Sequence, residues 1–154
     1  MITIGVDPHK RLHVAQAVDE AGGDVSEWRG PNSPDGWTRL AQCAASLSSE
    51  RQWGIEGAWS YGRGLAQHLV ALGETVYDIN PRWTAAHRRS ARKPGKTDKL
   101  DARAVALLVR QEVVSLPRVL PEDQTALLDL LTSERESAVA EATRLRNQIH
   151  AHLM

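Results

Sequence analysis

The order of its hydrophobic rhythms most constrains what this chain can fold into: three strand-like runs in succession, then helical and strand-like runs in alternation. Residues 2–7, ITIGVD, are a short β-rich run that ends on an aspartate. Residues 12–18, LHVAQAV, form a second apolar run with partial alternation. Ala21-Gly22-Gly23-Asp24 is a strong turn signal, and Val25 to Trp28 return as a third strand, so the first three strands read as an antiparallel meander. Pro34 opens a helical pattern through about Leu47, with Trp37, Leu40, Ala41 and Ala44 on one face. Residues 52–57, QWGIEG, read as a strand ending near Glu56. Residues 61–72 carry Leu65, Leu69 and Leu72 at helical spacing, and Gly73 follows as a stop. Residues 74–79, ETVYDI, are another strand, and Asn80-Pro81 starts a helix at Arg82.

A further helix is expected from about Asp98 to Glu112. Leu116-Pro117 and Leu120-Pro121 bracket a connector. Residues 122–153 lack Pro and Gly and read as one long helix, with Leu127, Leu131, Ala138 and Leu145 on one stripe and Ala142, Ile149 and Leu153 on its neighbour. That pattern fits a helical hairpin arm or a coiled coil, and it suggests self-association as a dimer or higher oligomer. Alternating β and α units after a meander imply an α/β fold, a mixed sheet with helices on its faces, which is the element order of the ribonuclease H-like architecture. The expected division is a domain over 1–115 and a connector with the start of a coiled-coil helix over 116–154.

This length suits one domain able to bury a core without staples. The formal net charge is zero, so a nucleic-acid partner has to be sought in local clustering. Cys43 is the only cysteine, which excludes an internal disulfide and a cysteine-rich zinc site. With no signal-peptide pattern and no apolar run of membrane-spanning length, the expected location is cytoplasmic.

Four acids stand out by position. Asp7 ends the first strand and Glu56 ends the fourth, and in an open sheet such strand ends can face one crevice. Asp98 and Asp101, three apart in the first turn of a helix, project from the same face. Four acids from three elements would repel one another unless cations shared them, which points to metal. Each acid also has an ordinary structural reading: a turn residue before Pro8, a solvated residue beside Gly57, or acids that complement a helix dipole behind a Thr97 N-cap. Spacing alone leaves both readings open.

The motifs IGVDPHK (4–10), GIEG (54–57) and KTDKLDA (96–102) resemble the three acidic motifs of the DEDD transposases of bacterial insertion sequences, whose N-terminal domain is similar to the Holliday-junction resolvase RuvC. The resemblance runs through nearly all of the chain, and KTDKLDA before an apolar helix is its most specific piece. It implies a RuvC-like, metal-binding domain in which Asp7, Glu56, Asp98 and Asp101 hold Mg²⁺, with Mn²⁺ as a substitute, for phosphoryl transfer on DNA. It further implies an RNA-guided recombinase, with a structured guide RNA as a partner. Family members continue into a second domain that holds a nucleophilic serine, and no serine of these 154 residues maps onto it. The expectation is therefore part of an active site, on a fragment or a naturally short chain.

Between Arg82 and Lys99 lie seven cations, Arg82, Arg88, Arg89, Arg92, Lys93, Lys96 and Lys99, with Asp98 as the only acid and Pro94-Gly95 in the middle. A basic loop beside a metal site would hold the phosphate backbone of a nucleic acid, although charge runs are commonly solvated faces. His9, two residues from Asp7, can reach the metal or a phosphate, but four acids already supply enough ligands. The five tryptophans are expected mostly in packing, with Trp59 and Tyr61 near the site as candidates for stacking on a base. Two rivals remain. One is an actin-like ATPase domain, which lacks support because Pro8-His9-Lys10 stand where glycines are expected. The other is a non-catalytic RNA-binding and dimerisation module in which the acids are structural.

Overall fold

The computed structural model describes residues 1–84, 98–122 and 124–153, with side chains throughout except at 124–127 and 152–153. It has two compact units, Met1–Pro121 and Glu122–Met154.

The first unit is built on a five-stranded sheet: β1 (Ile2–Pro8), β2 (Leu12–Val18), β3 (Asp24–Pro31), β4 (Arg51–Glu56) and β5 (Val76–Ile79), in the order β3-β2-β1-β4-β5. The first three strands form the antiparallel meander, and β4 and β5 add in parallel beyond β1. β3 is longer than the run Val25 to Trp28 suggested. Its pairing with β2 continues to Leu12↔Pro31, so ladder hydrogen bonds carry Gly30 and Pro31 into the strand despite their turn-forming chemistry.

Two helices connect the strands, α1 (Pro34–Leu47) and α2 (Arg63–Ala71). α1 starts where Ser33 caps it: the Ser33 hydroxyl accepts from the Gly36 N–H at 3.3 Å, and Pro34 fills the first turn. α3 (Asp98–Glu112) packs chiefly on β1 and β2 and also on β4. The sheet separates two apolar clusters. Ile4, Val6, Trp53, Ile55, Leu40, Leu65 and Leu69 form the larger one, which takes in α1 and α2. Tyr77, Ile79, Val105, Leu108, Val109 and Leu116 form the other, which takes in α3. Burying a side chain of Leu65 or Ile55 size contributes about 2 kcal/mol each.

Glycines in mid-strand let α3 sit close to the sheet. A Cβ placed on Gly5 of β1 would stand 2.1 Å from the Ala102 carbonyl oxygen, and one on Gly54 of β4 would stand 2.4 Å from Val109 Cγ2. The two glycines are register partners, so a strip without side chains runs across two strands under the helix.

Residues 117–119, read from their prolines as a connector, lie along the outer edge of β5. The Asp78 N–H donates to the Pro117 carbonyl and the Val119 N–H to the Val76 carbonyl, each at 2.9 Å, and Tyr77 bridges Arg118. This covers an otherwise open sheet edge. The second unit is the helix α4 (Gln124–Leu153), on which Leu128, Leu131, Leu145 and Ile149 are exposed.

Candidate metal centre

Strand alternation carries the glycine strip into the site. Gly5 and Asp7 are two residues apart on β1, and Gly54 and Glu56 are two apart on β4, so both acids lie on the face that α3 covers. Register pairs Val6 with Ile55, which puts Asp7 and Glu56 side by side at the ends of neighbouring parallel strands. With Ala102 and Ala106 over Gly5, the first turn of α3 reaches that same end of the sheet. Asp98 and Asp101 are therefore delivered to Asp7 by the close helix–sheet contact.

Asp7 is 7 % exposed and Asp101 4 % exposed, whereas Asp98 and Glu56 are only partly buried. The Asp7 carboxyl is pushed up to about 6, first by burial and then by the charges of Glu56, Asp101 and Asp98, while His9 opposes the rise. All three other acids thus act on Asp7. Among the described residues, Asp7, His9 and Asp98 form a cluster in which one ligand atom from each lies within 4.8 Å of the others. The His9 Nε2 stands 3.3 Å from Asp7 Oδ2 and 3.6 Å from Asp98 Oδ1. Glu56 is anchored instead by Thr84, a buried residue whose hydroxyl donates to Glu56 Oε1. The turn after Glu56 is held by Asp78, whose Oδ1 accepts from the Ala58 N–H at 2.8 Å and whose carboxyl is pushed up by burial.

The donor set fits a divalent cation. Hard carboxylate oxygens, one of them on a carboxyl that burial and three like charges make reluctant to ionise, would be relieved by a shared positive charge.

Of the seven expected cations, two are described. Arg82 is exposed in a helical turn over 81–84, and Lys99 is ion-paired with Glu27 of β3 at 2.8 Å. Arg88, Arg89, Arg92, Lys93, Lys96, the Pro94-Gly95 break and the Thr97 cap lie outside the described residues. Trp53 is fully buried and Trp28 and Trp37 pack on the core, while Trp59, Tyr61 and Trp83 are exposed. The burial of Thr84 beside Glu56 leaves no local pattern in the sequence. His9, beyond the four acids that suffice as ligands by count, joins Asp7 and Asp98 in the cluster. The mid-strand glycines Gly5 and Gly54 were the available signal for the close approach of α3.

This sheet, with acids at the ends of β1 and β4 and at the start of a packed helix, has the fold of RuvC-like nucleases. T. thermophilus RuvC in complex with a Holliday junction substrate superposes with a TM-score of 0.57 at 14% identity, over 77% of this chain and 99% of that one. A second Thermus thermophilus RuvC structure gives 0.51 at 17% identity, over 77% and 100%. The chain belongs to the IS110-type DEDD transposase family, whose model matches residues 4–154. It is 28% identical over 148 residues to the insertion element IS116 44.8 kDa protein of Streptomyces clavuligerus, covering 96% of this chain and 37% of that protein. It is 30% identical over 156 residues to y4qE of Sinorhizobium fredii (strain NBRC 101917 / NGR234), covering 98% and 38%. The chain thus spans under two fifths of the length of these relatives. No helix among the described residues is long and apolar enough to cross a membrane.

Proposed function

We propose that this chain is the metal-binding part of a DNA transposase, in which Asp7, Glu56, Asp98 and Asp101 hold divalent cations for phosphoryl transfer on DNA. The observation that carries the reading is the convergence on the buried Asp7, where ligand atoms of Asp7, His9 and Asp98 lie within 4.8 Å of one another and the charges of Glu56 from β4 and of Asp98 and Asp101 from α3 act on its carboxyl. A bound Mg²⁺ or Mn²⁺ would supply Lewis-acid stabilisation of the attacking and leaving oxygens. The chain's own contribution is placement. β1 and β4 fix Asp7 and Glu56 at adjacent strand ends, α3 brings Asp98 and Asp101 near Asp7, and Thr84 orients Glu56 through its hydroxyl. Arg82, exposed in the turn over 81–84, would supply a phosphate contact.

The family membership and the RuvC-like fold support DNA as the substrate. In the whole protein, a serine outside these 154 residues would act as the nucleophile at this centre, a structured RNA would guide it, and α4 would contribute to self-association.

Thermal unfolding of the 154-residue chain tests the reading. Millimolar Mn²⁺ or Mg²⁺ raises the Tm by linkage, and more so with a branched DNA duplex present. Asp7→Asn abolishes the metal-dependent rise. A wild-type Tm that moves in neither condition overturns the proposal.

A further inference from the structure

The imidazole of His9 occupies the space between two of the proposed metal-holding carboxylates, and the tight turn that carries it is fixed from three sides. The His9 N–H donates to the Leu12 carbonyl at 2.8 Å, closing the β1–β2 connection. The Asn32 side-chain amide donates to the carbonyls of His9 at 3.3 Å, Lys10 at 3.4 Å and Tyr61 at 3.2 Å. Asn32 is itself oriented by the Trp37 indole N–H, which donates to its Oδ1 at 3.0 Å. A turn held this way fixes the backbone from which the side chain projects, a first part of what preorganised ligands require.

Although the His9 side chain is 43% exposed, its Nε2 is closed off from solvent and makes no hydrogen bond among the described residues. That nitrogen stands 3.3 Å from Asp7 Oδ2 and 3.6 Å from Asp98 Oδ1. Neighbouring ligand atoms of an octahedral ion with bonds of about 2.1 Å are about 3.0 Å apart, and opposite ones about 4.2 Å. The two distances from the nitrogen therefore fall between the separations of neighbouring and of opposite ligands to one ion, and all three ligand atoms lie within 4.8 Å of one another. A purely electrostatic role, a cationic imidazole neutralising the acids, would place the same ring in competition with a metal rather than in partnership with it.

We propose that His9 Nε2 is a nitrogen ligand of the cation held by Asp7 and Asp98, so that the site takes a first-row transition ion in preference to Mg²⁺. Imidazole nitrogen suits transition ions, whereas Mg²⁺ takes hard oxygen ligands almost exclusively. The inference rests on the proposed metal-binding role of the acids, and its test separates the two.

Mn²⁺ added to the 154-residue chain is the probe. Pulsed electron paramagnetic resonance reads coupling between bound Mn²⁺ and a directly coordinated ¹⁴N. The wild type shows that coupling. His9→Ala and His9→Gln lose it while His13 remains, and they bind Mn²⁺ more weakly by about tenfold or more, the scale on which even the outer partners of a ligand act. Their Mg²⁺ affinity changes much less. If Mn²⁺ binds the wild type and Asp7→Asn removes it, but no nitrogen coupling is seen, His9 is not a ligand and the reading of the acids stands. Coupling that persists in both His9 variants overturns the proposal equally. If the wild type does not bind Mn²⁺ saturably, or Asp7→Asn binds it as tightly, the acids do not form the site and the role of His9 falls with them. The wild-type spectrum decides the matter even if a variant folds poorly.

Discussion

Gly5 of β1 lies so close to Ala102 of α3 that a Cβ on the glycine would stand 2.1 Å from the Ala102 carbonyl oxygen and 2.3 Å from the Ala106 N–H nitrogen. Both neighbours are backbone atoms, which do not rotate out of the way as a side chain tip does. The distance from Asp98 and Asp101 to Asp7 is set by this contact.

Gly5→Ala is therefore expected to lift α3 from the sheet. Overpacking of this kind destabilises by about 1–3 kcal/mol. Urea unfolding checks the stability loss. A weaker Mn²⁺-dependent rise in Tm in the folded variant checks that the displacement separates the acids.

The stability of the metal-free chain should depend on pH through two buried groups with opposite signs. Asp7 is pushed up to about 6, so its contribution is fully present below its unfolded value near 3.8 and is lost as the pH rises through about 6. His13, wholly buried on β2, is pushed down to about 4 by burial, so its contribution is present above its unfolded value of 6.5 and is lost as the pH falls through about 4. Each displacement corresponds to about 3 kcal/mol. Between pH 4 and 6 the two trends oppose each other. Asp7→Asn removes one of them, so its stability relative to the wild type should grow across that window by up to about 3 kcal/mol. Urea unfolding at pH 4, 5, 6 and 7 measures the difference, and a difference that stays flat contradicts it.

Thr84→Val keeps the shape of a buried side chain and removes the hydroxyl that donates to Glu56. Loss of a hydrogen bond to a charged group is expected to cost about 1.5–3 kcal/mol. The folded variant should need more Mn²⁺ for half of its thermal shift, because Glu56 is no longer held in place. Chemical unfolding and a metal titration followed by Tm read the two effects separately.

Much of the architecture was legible because hydrophobic periodicity is a local property. The helix Pro34–Leu47 begins and ends where Pro34 and the apolar spacing indicate, and the helix Asp98–Glu112 ends where its spacing does. The meander was readable from the glycine turn before Asp24. The end of β3 and the role of residues 117–119 were not, because their strand-like pairing is imposed by β2 and by the open edge of β5 against the local preference of proline and glycine. The tryptophans divide for the same reason. Trp53 is wholly buried in the cluster that takes in α1 and α2, while Trp59 and Trp83 lie in turns and are about half exposed, and identity alone does not distinguish them.

The sequence by itself determined the order of strands and helices and marked Asp7, Glu56, Asp98 and Asp101 as acids at element ends, since periodicity and motif are written in neighbouring residues. Only the tertiary structure decided how they meet. Parallel register sets Asp7 beside Glu56, the absence of side chains at Gly5 and Gly54 sets the height of α3, and the Asn32-fixed turn sets His9 between Asp7 and Asp98. Such distances depend on packing between residues far apart in the chain, and no local pattern specifies them.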